Sequence, residues 1–128
     1  MWMAQVAQRA EDLDRASAFY GRLLGAEPIA VFDPPGLVFF DLDGVRLLLD
    51  RAAPSALIYL GVDDVRTSVE DLRAQGVAVH TEPHVIFRDE AGTFGRPGSD
   101  EWMAFIEDSE GNLVGLASRS AGDGAAPA

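Results

Sequence analysis

The sequence has no cysteine and only two histidines, His80 and His84. Without cysteine there is no disulfide, no thiolate nucleophile and no cysteine-ligated metal, while the redox state of the compartment stays open. Basic residues are also scarce: 10 against 21 acidic ones give a formal net charge of −11 and a pI near 4.3. Phosphate backbones and anionic membrane surfaces would repel such a chain, so neither nucleic acid nor membrane is an expected partner. No apolar run approaches the roughly 18 residues of a membrane span. Met1-Trp2-Met3-Ala4 passes into Gln5, Gln8 and Arg9 with no basic start and no apolar h-region. The expected location is cytoplasmic. What is present, 128 residues of which 48% are apolar, suffices for one globular domain or two small halves sharing a core.

The chain reads as one unit written twice. Met3–Arg9 is compatible with a strand, and the carboxylates of Glu11, Asp12 and Asp14 suit a helix N-terminus. Leu13, Ala16, Phe19, Tyr20, Leu23 and Leu24 recur at three- and four-residue steps, and Gly25 stands where a left-handed cap belongs. Pro28–Phe32 then reads as a strand, Asp33-Pro34-Pro35-Gly36 as a turn, and Leu37–Leu42 and Val45–Asp50 as a hairpin closed by Asp43-Gly44. After a linker at Arg51–Ser55, the same order returns. Ala56–Val62 is a strand, and Asp63-Asp64 opens a helix carrying Val65, Val69 and Leu72 that ends at Gly76. Strands are expected at Val77–His80, His84–Phe87, Trp102–Glu107 and Leu113–Ser118, the last two joined by the turn Asp108-Ser109-Glu110-Gly111-Asn112.

Two gapless superpositions support duplication. An offset of 52 residues (64 − 12) pairs Val6 with Ile58, Asp12 with Asp64 and Leu13 with Val65; a second places Asp41, Gly44 and Leu49 on Asp108, Gly111 and Leu116. The fold class is therefore α+β: two tandem βαβββ modules, about residues 3–50 and 56–118, within one domain of residues 1–120. Between Phe87 and Trp102 a Gly-rich connection containing Gly92, Gly95 and Gly98 is either a binding loop or a solvated hairpin tip. The tail Ala121–Ala128 has no apolar period and is expected to be disordered.

The segments Asp12-Leu13-Asp14-Arg15-Ala16, Phe19-Tyr20, Leu23-Leu24-Gly25 and Ala104-Phe105-Ile106-Glu107-Asp108-Ser109-Glu110-Gly111-Asn112 resemble the glyoxalase, bleomycin-resistance and extradiol-dioxygenase superfamily, the vicinal oxygen chelate proteins. The resemblance spans about residues 3–118. It implies a curled mixed sheet forming a half-open cup, a small molecule held on the concave face, and frequent pairing as a homodimer. It names no reaction, since members of that superfamily isomerise, cleave, epimerise, oxygenate or sequester small molecules. The resemblance also implies a divalent metal held by one residue on each of four strands. Those positions fall here on Gln5, Leu48, Leu57 and Gly115. One amide oxygen, two leucines and a glycine cannot replace a cation's hydration shell, so no metal cofactor is expected.

A shifted site built from Gln5, His84 and Glu101 or Glu107 is the alternative, although no spacing specifies it. His84 is the candidate general acid or base, because imidazole titrates near neutrality; equally, it can hydrogen-bond a neighbouring strand. Arg46, within the apolar strand Val45–Leu49, either reaches an anionic ligand or snorkels to the rim, and Arg88, Arg96 and Glu101 either orient a polar ligand or face water. Aromatic residues including Tyr59, Phe105 and Trp102 can line an apolar pocket. The expected ligand-binding set is Gln5, Arg46, Leu48, Leu57, Tyr59, His84, Glu101 and Trp102. The expected function is metal-free binding of an apolar or aromatic small molecule; the alternative is a glyoxalase-like lyase, isomerase or dioxygenase using a displaced metal or His84. A pure scaffold would need an exposed apolar face that the pattern does not display.

Overall fold

In the computed structural model, which describes residues 1–120, Asp12 starts the first helix. Its extended backbone (φ −111°, ψ 103°) lets the carboxylate accept the Arg15 N–H at 3.0 Å. The helix α1 (Leu13–Leu24) follows, and Gly25, left-handed at φ 63°, ends it by donating its N–H to the Gly21 carbonyl. Leu13, Ala16, Phe19 and Tyr20 form its buried stripe. This first unit comprises Met1–Leu57 and Asp108–Asn112. Its strands β1 (Gln5–Arg9), β2 (Ala30–Phe32), β3 (Leu37–Leu42) and β4 (Val45–Asp50) make a sheet of order β1-β4-β3-β2, with β1 parallel to β4 and the remaining pairs antiparallel. Asp43 and Gly44 both adopt positive φ (52° and 93°), as a two-residue hairpin turn matching the strand twist requires. Side chains alternate along each strand. Val38, Phe40, Leu47, Leu49 and Gln8 are buried under α1, and each of the large apolar ones contributes about 1.5–3 kcal/mol of burial.

The second unit holds Ile58–Glu107 and the chain from Leu113 onward. Its elements are β5 (Ile58–Gly61), α2 (Val65–Ala74), β6 (Val79–Asp89), β7 (Ser99–Glu107) and β8 (Leu113–Ser120), in a sheet of order β5-β8-β7-β6. Asp64 caps α2 by accepting the Arg66 N–H at 3.1 Å, and the Val65 N–H donates to Ser118 Oγ at 3.0 Å, fixing the helix start against β8. Val65, Val69, Ala104, Ile106, Val114 and Leu116 form the core.

The duplication is visible in the hydrogen-bond register. In the first unit the parallel pair aligns Val6 with Leu47 and Ala7 with Leu48; in the second it aligns Ile58 with Val114 and Tyr59 with Gly115. These are the same pairs under the offsets of 52 (58 − 6) and 67 (114 − 47). Both N-caps, Asp12 and Asp64, coincide as well. The chain is thus α+β with two βαβββ modules, each carrying its own four-stranded mixed sheet.

Several boundaries differ from the sequence expectation: β1, β2 and β5 start later than expected, at Gln5, Ala30 and Ile58, and β5 ends at Gly61. The expected strands Val77–His80 and His84–Phe87 merge into the single strand β6, which starts at Val79 and, among the described residues, pairs only with β7 at the sheet edge. Pro83 is tolerated there because it falls within a register irregularity between Thr81 and His84, where no ladder bond is needed. The strands β7 and β8 run further than expected, to Ser99 and Ser120, which shortens the Gly-rich connection to residues 90–98. The tail at residues 121–128 lies outside the described residues. Among those described, no helix is long and apolar enough to cross a membrane.

One turn in the first unit is tied down at many points. The Asp108 carboxylate accepts the Tyr20 hydroxyl at 2.6 Å, the Glu110 and Asn112 N–H groups at 2.8 Å each, and Asn112 Nδ2 at 2.8 Å. Burial pushes the Tyr20 phenol well above its ordinary value, and the bond to Asp108 pushes it the same way. Glu110 accepts Arg15 Nε at 2.7 Å and the Asp12 N–H at 2.9 Å. The Arg15 bond, opposed by burial and helped by Asp12, holds the Glu110 carboxyl down at about 2.

Candidate functional site

Each sheet has one face under its own helix and one open face, and the open faces carry the candidate residues. In the first unit, Gln5 and Arg46 are register partners, and Arg46 Nε donates to Gln5 Oε1 at 2.9 Å. Leu48 is half-buried between its partners Ala7 and Phe39, and Phe39 meets Phe32 edge-on with ring centroids 6.0 Å apart. This face is apolar at its centre. Its amide oxygen at Gln5 is already engaged by a guanidinium.

In the second unit, Tyr59 lies across β8 at Gly115. A Cβ built on Gly115 would come within 2.5 Å of Tyr59 Cδ2 and 3.2 Å of Phe105 Cε1, so only glycine leaves room for the ring. Tyr59 and Phe105 pack edge-to-face at 5.9 Å. The next rung along the strands holds Ala117, Met103 and His84; the one after it holds Arg119, Glu101 and Phe87. Arg119 is fully engaged. It donates to Asp89 Oδ2 at 2.7 Å, to Glu101 Oε1 at 2.9 Å and to Ser99 Oγ at 2.6 Å. Burial would raise the Asp89 carboxyl, but the Phe94 and Thr93 N–H groups and Arg119 outweigh it and hold the group below its ordinary value. Asp89 thereby fastens the 90–98 loop to the strand ends.

The structure separates residues that the sequence grouped. Glu101 and Trp102 point to opposite faces, as successive strand residues must. Trp102 lies on the helix side, buried, with its indole N–H on Ser120 Oγ at 2.9 Å and the Arg66 guanidinium 4.1 Å from its ring centroid. Leu57 precedes β5 and is 47% exposed. His84 stands opposite Met103, and Phe87 opposite Glu101, so both share the open face. Strict alternation from His84 would put Phe87 on the opposite face; the irregularity between Val85 and Phe87 inserts one residue and brings the two together. His84 is exposed, with Nδ1 3.0 Å from the Glu82 carbonyl oxygen. Among the described residues no group of three His, Asp or Glu side chains is arranged to hold a metal ion. Apart from these faces, a groove of about 610 Å³ runs beside α1 between Asp14 and Pro28.

The sequence reading overlooked Met103, Asp89 and Arg119 as members of this face. Alternation along β7 was the available signal for Met103, because Glu101, Met103 and Phe105 fall on one side. Arg119 lay one residue past the expected end of its strand, and Asp89 two residues past the end of another.

A family model for the Glyoxalase/Bleomycin resistance protein/Dioxygenase superfamily matches residues 2–116. The chain belongs to that superfamily. Solved structures share the fold. A lactoylglutathione lyase from Agrobacterium tumefaciens superposes with a TM-score of 0.68 at 25% identity, over 91% of this chain and 92% of that one. A glyoxalase I variant from Zea mays gives 0.67 at 20% identity, over 91% of this chain and 44% of that one. An integron cassette protein from the mobile metagenome of V. cholerae gives 0.68 at 16% identity, over 92% and 94%. No curated sequence matches the chain at a significant level. Of the four residues on which the sequence resemblance places metal ligands, Gln5 is an amide bonded to arginine, Leu48 is half-buried, Leu57 is exposed and Gly115 lies under a tyrosine ring.

Proposed function

We propose that this superfamily member binds an apolar or aromatic small molecule on its open sheet faces without a divalent metal. The observation that carries the reading is the pair Tyr59–Gly115: the position that would present a ligand on the closing strand has no side chain, and the ring of Tyr59 fills the space in which one would stand. Gln5 supports it, because a cation at its Oε1 would face the Arg46 guanidinium. The donor set does not fit a metal site, which needs about three imidazole or carboxylate ligands. Loss of metal chemistry leaves an apolar, aromatic surface intact, and such a surface with a few polar groups is the usual form of a small-molecule site. The competing reading is a glyoxalase-like lyase, isomerase or dioxygenase with a displaced metal, or with His84 moving a proton; it draws on the lyase activity in the name of the Agrobacterium structure.

The deciding experiment is metal analysis of tag-free protein, together with its Tm as Ni²⁺, Zn²⁺, Mn²⁺ or Fe²⁺ is added and then chelated. The expected result is sub-stoichiometric metal and no chelator-reversible shift. A ligand bound only by the native state must stabilise it, by about 2.7 kcal/mol at one hundred times its Kd. A stoichiometric metal with a reversible rise in Tm would therefore overturn the reading.

A further inference from the structure

We infer that the open face of the second unit selects an elongated ligand that is aromatic or apolar at one end and cationic at the other, and rejects anionic ones. The inference rests on the proposed function and specifies its ligand class. The aromatic end is set by Tyr59, 51% exposed, and Phe105 beside it. The cationic end is set by Glu101. One of its oxygens accepts Arg119; the other has no hydrogen-bond partner among the described residues, although the side chain is only 16% exposed. A half-bonded carboxylate in so sheltered a position favours a charged donor. Phe87, opposite Glu101 in the register and packed edge-on against Phe94 at 5.8 Å, adds an aromatic surface that an ammonium group also favours. Between the two ends lie Met103 and Ala117, which offer only apolar contact. Four residues of strand separate Phe105 from Glu101, a span of about 13 Å at the usual rise.

The charge balance acts in the same direction. The described part of this unit has ten carboxylates and five arginines, and no lysine. Arg66, Arg73, Arg88 and Arg119 are each paired with carboxylates. An anionic group at Glu101 would meet a like charge beside an arginine whose donors are already directed at Asp89, Ser99 and Glu101.

The test uses three series of phenylalkyl compounds of increasing tether length, ending in an amine, an alcohol or a carboxylate, titrated calorimetrically into the full chain. Affinity of the amines is expected to rise with tether length to an optimum at which they bind on the order of tenfold more tightly than the matched carboxylates. Glu101→Gln should bring that ratio close to one while retaining the binding of the alcohols, and Tyr59→Leu should weaken all three series in parallel. Equal binding of amines and carboxylates, or a preference that survives Glu101→Gln, overturns the inference and leaves metal-free binding standing. No binding in any series also overturns it, and if a chelator-reversible metal shift accompanies that result, the underlying reading falls as well.

Discussion

The two modules solve one packing problem in opposite ways. In the first, the opening strand carries the small residue and the closing strand the large one, Ala7 beside Leu48; in the second the sizes are exchanged, Tyr59 beside Gly115. The next strand carries phenylalanine in both, Phe39 opposite Leu48 and Phe105 opposite Gly115. Duplication has therefore kept the backbone register and roughly the side-chain volume, while moving that volume from one strand to its neighbour. The exposed surfaces differ as a result. A leucine presents an aliphatic floor, whereas a tyrosine lying over glycine presents a ring half open to solvent.

The hairpin turns differ as well. Asp41, on the first module's turn, accepts a single N–H from Gly44 at 3.1 Å and is exposed. Its counterpart Asp108 is buried and accepts four bonds, one of them from the Tyr20 hydroxyl. The largest expected effect breaks this contrast. Asp108→Ala leaves the Tyr20 hydroxyl and several N–H groups unpaired, and should cost about 3 kcal/mol in urea unfolding; Asp41→Ala should cost about 0.5 kcal/mol. Comparable losses from the two would show that the buried network contributes little.

Next comes the exchange of side-chain size. Gly115→Leu forces a side chain into the Tyr59 ring and should destabilise by about 2 kcal/mol. The double variant Tyr59→Ala with Gly115→Leu recreates the Ala7–Leu48 pair and should recover more than half of that loss. A double-mutant cycle with no coupling would mean that the two positions do not share the space.

The smallest effect concerns acid stability. Glu110 lies at about 2 in the folded chain against an ordinary 4.5. Its contribution is therefore complete above about pH 4.5 and disappears as the pH falls toward 2. Arg15→Ala, which removes the main cause of that depression, should move the acid-unfolding midpoint followed by circular dichroism upward by a few tenths of a pH unit, and added salt should shrink the difference. No equivalent shift is expected from Arg46→Ala in the other exposed contact, because Gln5 does not titrate.

Much of the fold was legible because its signals are local. Asp12 and Asp64 cap, Gly25 terminates, Asp43-Gly44 turns, and buried positions recur with the period of the element that carries them. Register was legible too, since Val6 on Ile58 and Leu49 on Leu116 align without gaps. The interrupted edge strand was not, because Pro83 ends a regular ladder in sequence terms while an irregular register accommodates it in space. The candidate site was half legible. Tyr59, Glu101 and His84 were chosen for their chemistry and lie on one open face, but Trp102, chosen for the same reason, lies under α2.

By itself the sequence determined two α+β modules with their caps and turns, all of which depend on residue type and short spacing. Only the tertiary structure decided which side chains meet on the open faces: the ring of Tyr59 over Gly115, the guanidinium of Arg46 on Gln5, and Arg119 between Asp89 and Glu101. Those contacts join residues up to 56 positions apart (115 − 59). Which atoms meet across such a separation is set by strand register and by the direction in which each side chain leaves the sheet, and neither is a property of the residue alone.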